Sequence, residues 1–502
     1  MFDLRSASAN IPQHGVTQSE LQGVDAADEI GSGHAPRVVW QRILTVLLVS
    51  APPWFPAISG AIDSISAGSR SVLFVAGPIL ALILILSCPP ARGVIDTEVN
   101  WIVALLAGAG ALATLALLNN RIPTLSQLWR IDMVGPVIFT VGATGVLLGL
   151  RYAFALWDVW LLLLICASPV PFLLVGAVFG GSDTGLAGLA CVVAAFVVFR
   201  AARSCGPVWR SAAALVSFTI GLMVSGGILA LAPEFQPTLL IAAAVGAGVV
   251  PFAVTRAALR LAPRKPSSHP GLPVAKFPDF SPVAVLVVLG LSAVMLVAYP
   301  EPPWRAEPPH AAADWVARSG LRASKNYGFA ARFLGPHSTV TRYAESQPSS
   351  PAAAVDVITT RSWGVLENFT NAQWYESSEP IDYESATIRG PWGRSLVVRA
   401  AHSNADTAVN PEAPQWYALT WTWRVATGYQ QVVVVASQDR DGKLPSPEAP
   451  SVSQSLLDPM LWIARQQPRQ DSEVHPDTIA VAERLARGII DAAGLGRTRD
   501  DT

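Results

Sequence analysis

The chain changes character near Tyr299. Before that point long apolar runs follow one another; after it the remainder of the 502 residues is polar, lacks cysteine and holds much of the tryptophan. A hydrocarbon core about 30 Å thick takes about 20 apolar residues to cross as a helix, and a soluble core does not use so many such runs in series. The pattern predicts a polytopic α-helical membrane domain of about nine helices followed by a soluble α+β domain. The expected organisation is a disordered cytoplasmic tail over 1–38, a multi-helix transmembrane domain over 39–299 and a proline-rich stalk over 300–309. An extracytoplasmic α+β domain over 310–495 and a disordered tail over 496–502 complete it.

The apolar segments cover 39–62, 71–88, 101–118, 134–152, 155–179, 185–199, 211–232, 238–255 and 282–299. Pro52, Pro53 and Pro56 are expected to shorten or kink the first, since proline removes a helical N–H and crowds the preceding turn. The averages of 51% hydrophobic and 14% charged residues, with a mean hydropathy of +0.40, mix an oily half with an ordinary one. A net charge of -1 with no basic stripe excludes nucleic acid as a partner. Lysine occurs only at Lys265, Lys276, Lys325 and Lys443 among 35 basic residues. Together with abundant Ala and Pro, this points to a GC-rich bacterial genome.

Arginine and lysine collect on cytoplasmic loops. Arg200, Arg203 and Arg210, then Arg256, Arg260, Arg264, Lys265 and Lys276, flank a hairpin whose tip over 232–237 carries only Glu234. Both basic loops are therefore assigned to the cytoplasm, which puts the N-terminus inside and the C-terminal domain outside a bacterial plasma membrane. Arg121 and Arg130 run against this count, with Asp132 their neighbouring acid.

Charges inside a bilayer cost a few kcal/mol unless paired and so mark transport or proton relays. Here Asp158 is the clearest case, with Arg151 seven residues earlier and so expected on nearly the same helix face, and the flanking Trp157 and Trp160 favour an ordinary place for both at the headgroup boundary. All seven histidines fall outside the apolar segments, so no metal or haem ligands are expected there and no cofactor is assigned. A transporter is accordingly the weakest of three functional readings.

The cysteines are Cys88, Cys166, Cys191 and Cys205, with no CxxC pair. Cys166 and Cys191 read as small buried hydrophobes. Cys205 stands at a helix start after Arg203 and Ser204, where a positive helix end and a nearby arginine favour a thiolate. The stretch Trp157 to Phe172, with Pro169 and Pro171, resembles the apolar helix ending in Pro-x-Pro that precedes the cysteine of exosortases and archaeosortases. Ala201 to Ser211 is similar to their cysteine segment, and Arg256 lies near the position of their first arginine. The resemblance implies a membrane cysteine transpeptidase with Cys205 as nucleophile and Arg256 stabilising developing negative charge. This sequence departs from the family in placing serine before the cysteine, in lacking a later membrane histidine, and in assigning Cys205 and Arg256 to the cytoplasmic side.

In the external part, strands are predicted over 353–360, 395–401, 415–425 and 430–437, and helices over 310–321, 455–466 and 478–493. Tyr417, Leu419, Trp421, Trp423 and Val425 share one strand face, and Ile479, Ala482, Leu485, Ala486, Ile489 and Ile490 form a helical apolar stripe. Pro300 to Pro309 is expected to hold the domain away from the headgroups, because proline stiffens a linker. No elbow, zinc, phosphate-loop or dinucleotide motif occurs. Glu367, Glu376, Glu379, Asp382 and Glu384 offer paired carboxylates, with a solvated loop around Pro380 the plainer account. Trp363, Trp374, Tyr375, Trp392 and Trp416 are candidates for a stacking platform for sugars or peptide, against a role in the core or at the membrane surface. The first functional reading is therefore a non-catalytic envelope protein. In it the helices sit in the lipid bilayer and anchor an external domain that binds or assembles another envelope protein or polymer. The exosortase-like enzyme is the alternative.

Overall fold

Helices form at each of the apolar segments. The computed structural model describes residues 35–88, 97–232, 237–261, 282–298, 307–346, 349–377, 379–390, 395–403, 415–438, 443–465 and 473–495. The helices are α1 (Ala35–Ser66), α2 (Leu73–Leu86), α3 (Thr97–Arg121), α4 (Pro123–Leu128), α5 (Ile131–Leu147), α6 (Leu150–Ala155), α7 (Trp157–Ala167) and α8 (Pro169–Val178). They continue with α9 (Asp183–Ala201), α10 (Pro207–Leu231), α11 (Thr238–Ala243), a π turn over Ala244–Val249, α12 (Val250–Leu261) and α13 (Pro282–Ala298). Among the described residues five spans are, by length and composition, apolar enough to cross a membrane, and α7 with α8 adds a sixth if that pair, bent by 78°, counts as one. Leu73–Leu86, Ile131–Leu147 and Pro282–Leu296 are shorter apolar helices.

Two local expectations are corrected. α1 is not shortened at Pro52, Pro53 and Pro56 but runs through all three, as apolar helices can where neighbours and side chains compensate the freed backbone groups. Asp158 and Arg151 do not share a helix, because the chain breaks at Leu156 between α6 and α7. Asp158 instead accepts from Arg200 at 3.3 Å, and that guanidinium lies 4.9 Å over the Trp157 ring.

The C-terminal part is a seven-stranded antiparallel sheet in the order β1-β2-β3-β7-β6-β5-β4. Its strands are β1 (Arg322–Tyr327), β2 (Thr339–Ala344), β3 (Ala353–Thr360), β4 (Glu384–Arg389), β5 (Ser395–His402), β6 (Trp416–Val425) and β7 (Gly428–Ser437). Two meanders meet where β3 pairs with β7, and the predicted β6–β7 hairpin is present. Its helices are α14 (Trp315–Ser319), α15 (Ala330–Leu334), α16 (Trp363–Phe369), α17 (Asp458–Ala464), which continues a π turn over Ser453–Leu457, and α18 (Pro476–Ala492).

Alternation along the strands makes two different faces. Leu419, Trp421 and Trp423 of β6 join Val432 and Val434 of β7 against Ala482, Leu485 and Ile489 of α18, with Trp315 of α14 edge-on to Trp423 at 5.0 Å. The opposite face, with Ala354, Ile358, Val433 and Val435, is covered by α15 and α16, and these continue into the helical bundle. One apolar cluster runs from Leu80 and Leu186 through Phe333 and Leu366 to Val433. The domain is therefore seated on the bundle rather than held off it: shared apolar burial favours contact, and most of the proposed stalk, residues 300–306, lies outside the described residues. The tail residues 1–34 and 496–502 also lie outside them.

Candidate functional site

The seam between bundle and sheet buries several polar side chains in long-range contacts. The turn between α1 and α2 forms a cradle for α16. Ser362 Oγ donates to Ala67 O at 2.6 Å, Gly364 N to Ala67 O at 2.8 Å, and Asn368 Nδ2 to Ser69 Oγ at 2.9 Å. Beside it Arg70, buried within the seam, donates to Gly181 O and to Asp183 Oδ1, each at 2.6 Å. Gly181 has a φ of +66°, and a Cβ built there would lie 1.8 Å from Arg332 O in α15.

A second set of contacts surrounds α4. Tyr383 N donates to Thr124 Oγ1 at 2.9 Å, and Trp129 Nε1 to Ser455 O at 2.8 Å. Between these contacts lies a small cleft, with room for about one water molecule, lined by Thr124 and Leu128 of the bundle, by Gln373 and Ile381 of the segment before β4, by Gln454, and by Pro459 of α17. Arg399 of β5 supports its wall: the guanidinium donates to Asn371 Oδ1 and lies 4.2 Å over the Tyr383 ring, while Asn371 Nδ2 donates to Gln127 Oε1 at 3.2 Å. Burial pushes the Arg399 pKa down and the Tyr383 phenol up. Among the described residues Arg399 makes no carboxylate contact, so it acts as a hydrogen-bonded, ring-stacked cation that orients an amide at the cleft.

A buried network lies on the same face of the sheet. Arg342 and Asp356, directly opposite on β2 and β3, are joined by two hydrogen bonds of 2.8 and 2.7 Å. Tyr375 Oη donates to Asp356 Oδ2 at 2.7 Å, and Arg342 also donates to Pro445 O at 2.6 Å. Burial works against the Arg342 charge, yet the Asp356 carboxylate outweighs it and holds the guanidinium above its usual range. Burial, and then the Asp356 charge, raise the Tyr375 phenol well above its ordinary value. A fully paired buried network of this kind sets the register of β2 on β3 and ties the Trp374–Tyr375 segment to the sheet.

The aromatic candidates sit in this layer. Trp374, Tyr375 and Trp416 are buried, and their rings pack on others: Trp374 stacks on Phe329 at 6.1 Å, and Tyr375 meets Trp416 at 5.2 Å. Trp363 packs on Tyr429 at 5.7 Å, and Trp392 lies outside the described residues. The expected stacking platform is thus corrected to a core layer, since ring faces packed on other rings cannot receive a ligand. Among the described residues no group of three or more His, Cys, Asp or Glu is placed to hold a metal. Glu379 is buried, and Asp382 accepts from Thr124 N at 3.5 Å, so this stretch belongs to the seam rather than to a solvated loop.

Cys205 lies at the opposite end of the bundle. Nearby, Arg203 donates to Ser87 O just beyond α2. α2 starts beside the cradle, and its 14 residues span about 21 Å at 1.5 Å per residue. Cys205 is buried against Ala202 and Leu259, with Sγ 4.0 Å from Ala258 O. Arg256 lies over the Phe252 ring at 5.6 Å, so no contact joins the two residues among those described. Compared with known proteins, the chain matches no family model, no curated protein and no solved structure.

Proposed function

We propose that this is an integral membrane protein of a bacterial cell envelope, whose helices anchor and orient an extracytoplasmic α+β domain that binds or assembles an envelope component. The carrying observation is the seam, where hydrogen bonds and a shared apolar cluster join the domain to the bundle and leave the cleft of Thr124, Gln373 and Gln454 open beside it. In this reading the six long spans, counting the bent pair, and three shorter apolar helices make nine crossings. The arginine-rich end with Arg200, Arg203 and Arg210 faces the cytoplasm. The arginines at the domain's end run against that count, and each is engaged locally: Arg70 pairs with Asp183, Arg130 with Asp132 at 3.5 Å, and Arg121 lies 5.1 Å from the Trp462 ring centroid.

Two measurements test the reading. With a membrane-impermeant maleimide on intact cells, a cysteine replacing the exposed Arg487 on α18 is expected to label and Cys205 to stay unlabelled. Labelling of Cys205 from outside, with loss of function in Cys205→Ala, would favour the exosortase-like transpeptidase. Photocrosslinking in cells from Gln373 and Gln454 is expected to give a discrete envelope adduct that Cys205→Ala retains and Asn371→Trp, which crowds the cleft, abolishes. Adducts to lipid alone from both positions would overturn the binding reading.

A further inference from the structure

The segment beside the cleft is apolar on two sides. Pro459 and Trp462 of α17 are buried, while Leu457, Met460 and Leu461 are exposed by 55%, 58% and 50%, and Ala464 is exposed as well. Positions 457, 460, 461 and 464 have the i, i+3, i+4, i+7 spacing of one helical stripe, opposite the stripe that holds α17 in place. Apolar residues all round a helix call for cover on both sides, and α17 has it on one.

The position of the segment says what supplies the other. Trp462 lies under the Arg121 guanidinium, and Arg121 is the last residue of α3. The spanning window of α3 is only 6% buried, with Leu106 and Leu117 each 70% exposed, so α3 turns its apolar surface outward along its length. One turn beyond Leu117, Arg121 joins the end of α3 to α17 through the Trp462 ring, and the α17 stripe lies on the other side of that short helix. Trp129, whose Nε1 holds Ser455 O, and Trp462 fix the segment to the end of the bundle from its inner side. Asp458 and Arg465 border the stripe with charge. An apolar face lying across the end of a lipid-facing helix and edged by charged residues has the build of an interfacial helix.

We propose that Ser453–Ala464 is an interfacial helix that seats Leu457, Met460 and Leu461 in the lipid surface on the domain's side, making the bilayer a third wall of the seam. The inference rests on the membrane placement of α3 and is independent of what the cleft binds.

Its test uses the full chain in lipid nanodiscs, with the four native cysteines replaced and single cysteines at Leu457, Met460 or Leu461 carrying a small fluorophore. Arg487→Cys, on the face of the sheet away from the bundle, is the control. Lipids brominated near the headgroup end of their acyl chains are expected to quench the three segment labels and leave the control unchanged, and aqueous iodide to do the reverse. Iodide quenching of all four labels alike, or protection of the segment labels from both quenchers, would overturn the proposal, the latter because protein and not lipid would then cover the stripe. Should the cysteine-free chain fail to fold, a genetically encoded fluorescent residue at the same positions gives the same reading.

Discussion

Replacing Asp356 by alanine is expected to destabilise the sheet domain by about 3–5 kcal/mol, because it leaves the Arg342 charge buried without its counter-ion. Asp356 is 1% exposed and Arg342 9%, so water does not take over the lost partner. The variant also strips Tyr375 Oη of its acceptor, which loosens the aromatic layer facing the bundle. Chemical denaturation followed by tryptophan emission reads the loss, since Trp374 and Trp416 lie in that layer. The double variant Arg342→Met with Asp356→Leu removes both charges and is expected to recover most of the stability, since apolar replacements of a buried pair are often neutral or better. A single variant within about 0.5 kcal/mol of the parent, the usual range for surface changes, would show that the pair is solvated and not structural.

Gly364→Val is expected to unseat the domain from the bundle. A Cβ at Gly364 would lie 2.7 Å from Ser69 N, 2.8 Å from Ser64 O and 3.0 Å from Ala67 O, all backbone atoms of the cradle that cannot rotate aside. Overpacking of this kind costs roughly 1–3 kcal/mol. The cost falls on the seam, because α16 can relax only by moving away from α1. Gly181→Ala acts at the other end, where φ is +66° and Arg332 O occupies the space of a Cβ. Hydrogen exchange of the full chain in nanodiscs is the measurement: faster exchange at Gly364 and around 67–72, with β6 and β7 still protected, is expected from both variants. Uniform loss of protection across the sheet would mean that seam and sheet unfold as one unit.

The β6–β7 hairpin and the α18 stripe were legible because each repeats at the strand or helix period over ten or more residues. β1 and β4 were not: they are short strands at the sheet edges, and RASKNY and ESATIR carry no apolar alternation. β2 escaped for a related reason, since the inward position of TVTRYA that matters most is an arginine whose partner lies on the next strand. For the aromatic candidates the sequence left a core role and a ligand platform side by side, and burial of Trp374, Tyr375 and Trp416 decides for the core, because Phe329 and Phe369 reach Trp374 only after α15 and α16 have docked. Cys205 and Arg256 lie close in the sequence pattern, yet one side chain packs into the bundle and the other stacks on Phe252.

The amino-acid sequence by itself determined the division into a helical half and a sheet half, because hydropathy and periodicity are local and each segment reports its own preferred environment. It also determined which faces of β6 and α18 are apolar. Only the tertiary structure decided that the polar half sits on the helices instead of hanging beyond a stalk. That outcome depends on contacts between residues separated by hundreds of positions: Ser69 with Asn368, Thr124 with Tyr383, and Arg121 with Trp462. None of these residues carries a pattern on its own. Their meaning comes from the partner that the folded chain sets opposite them.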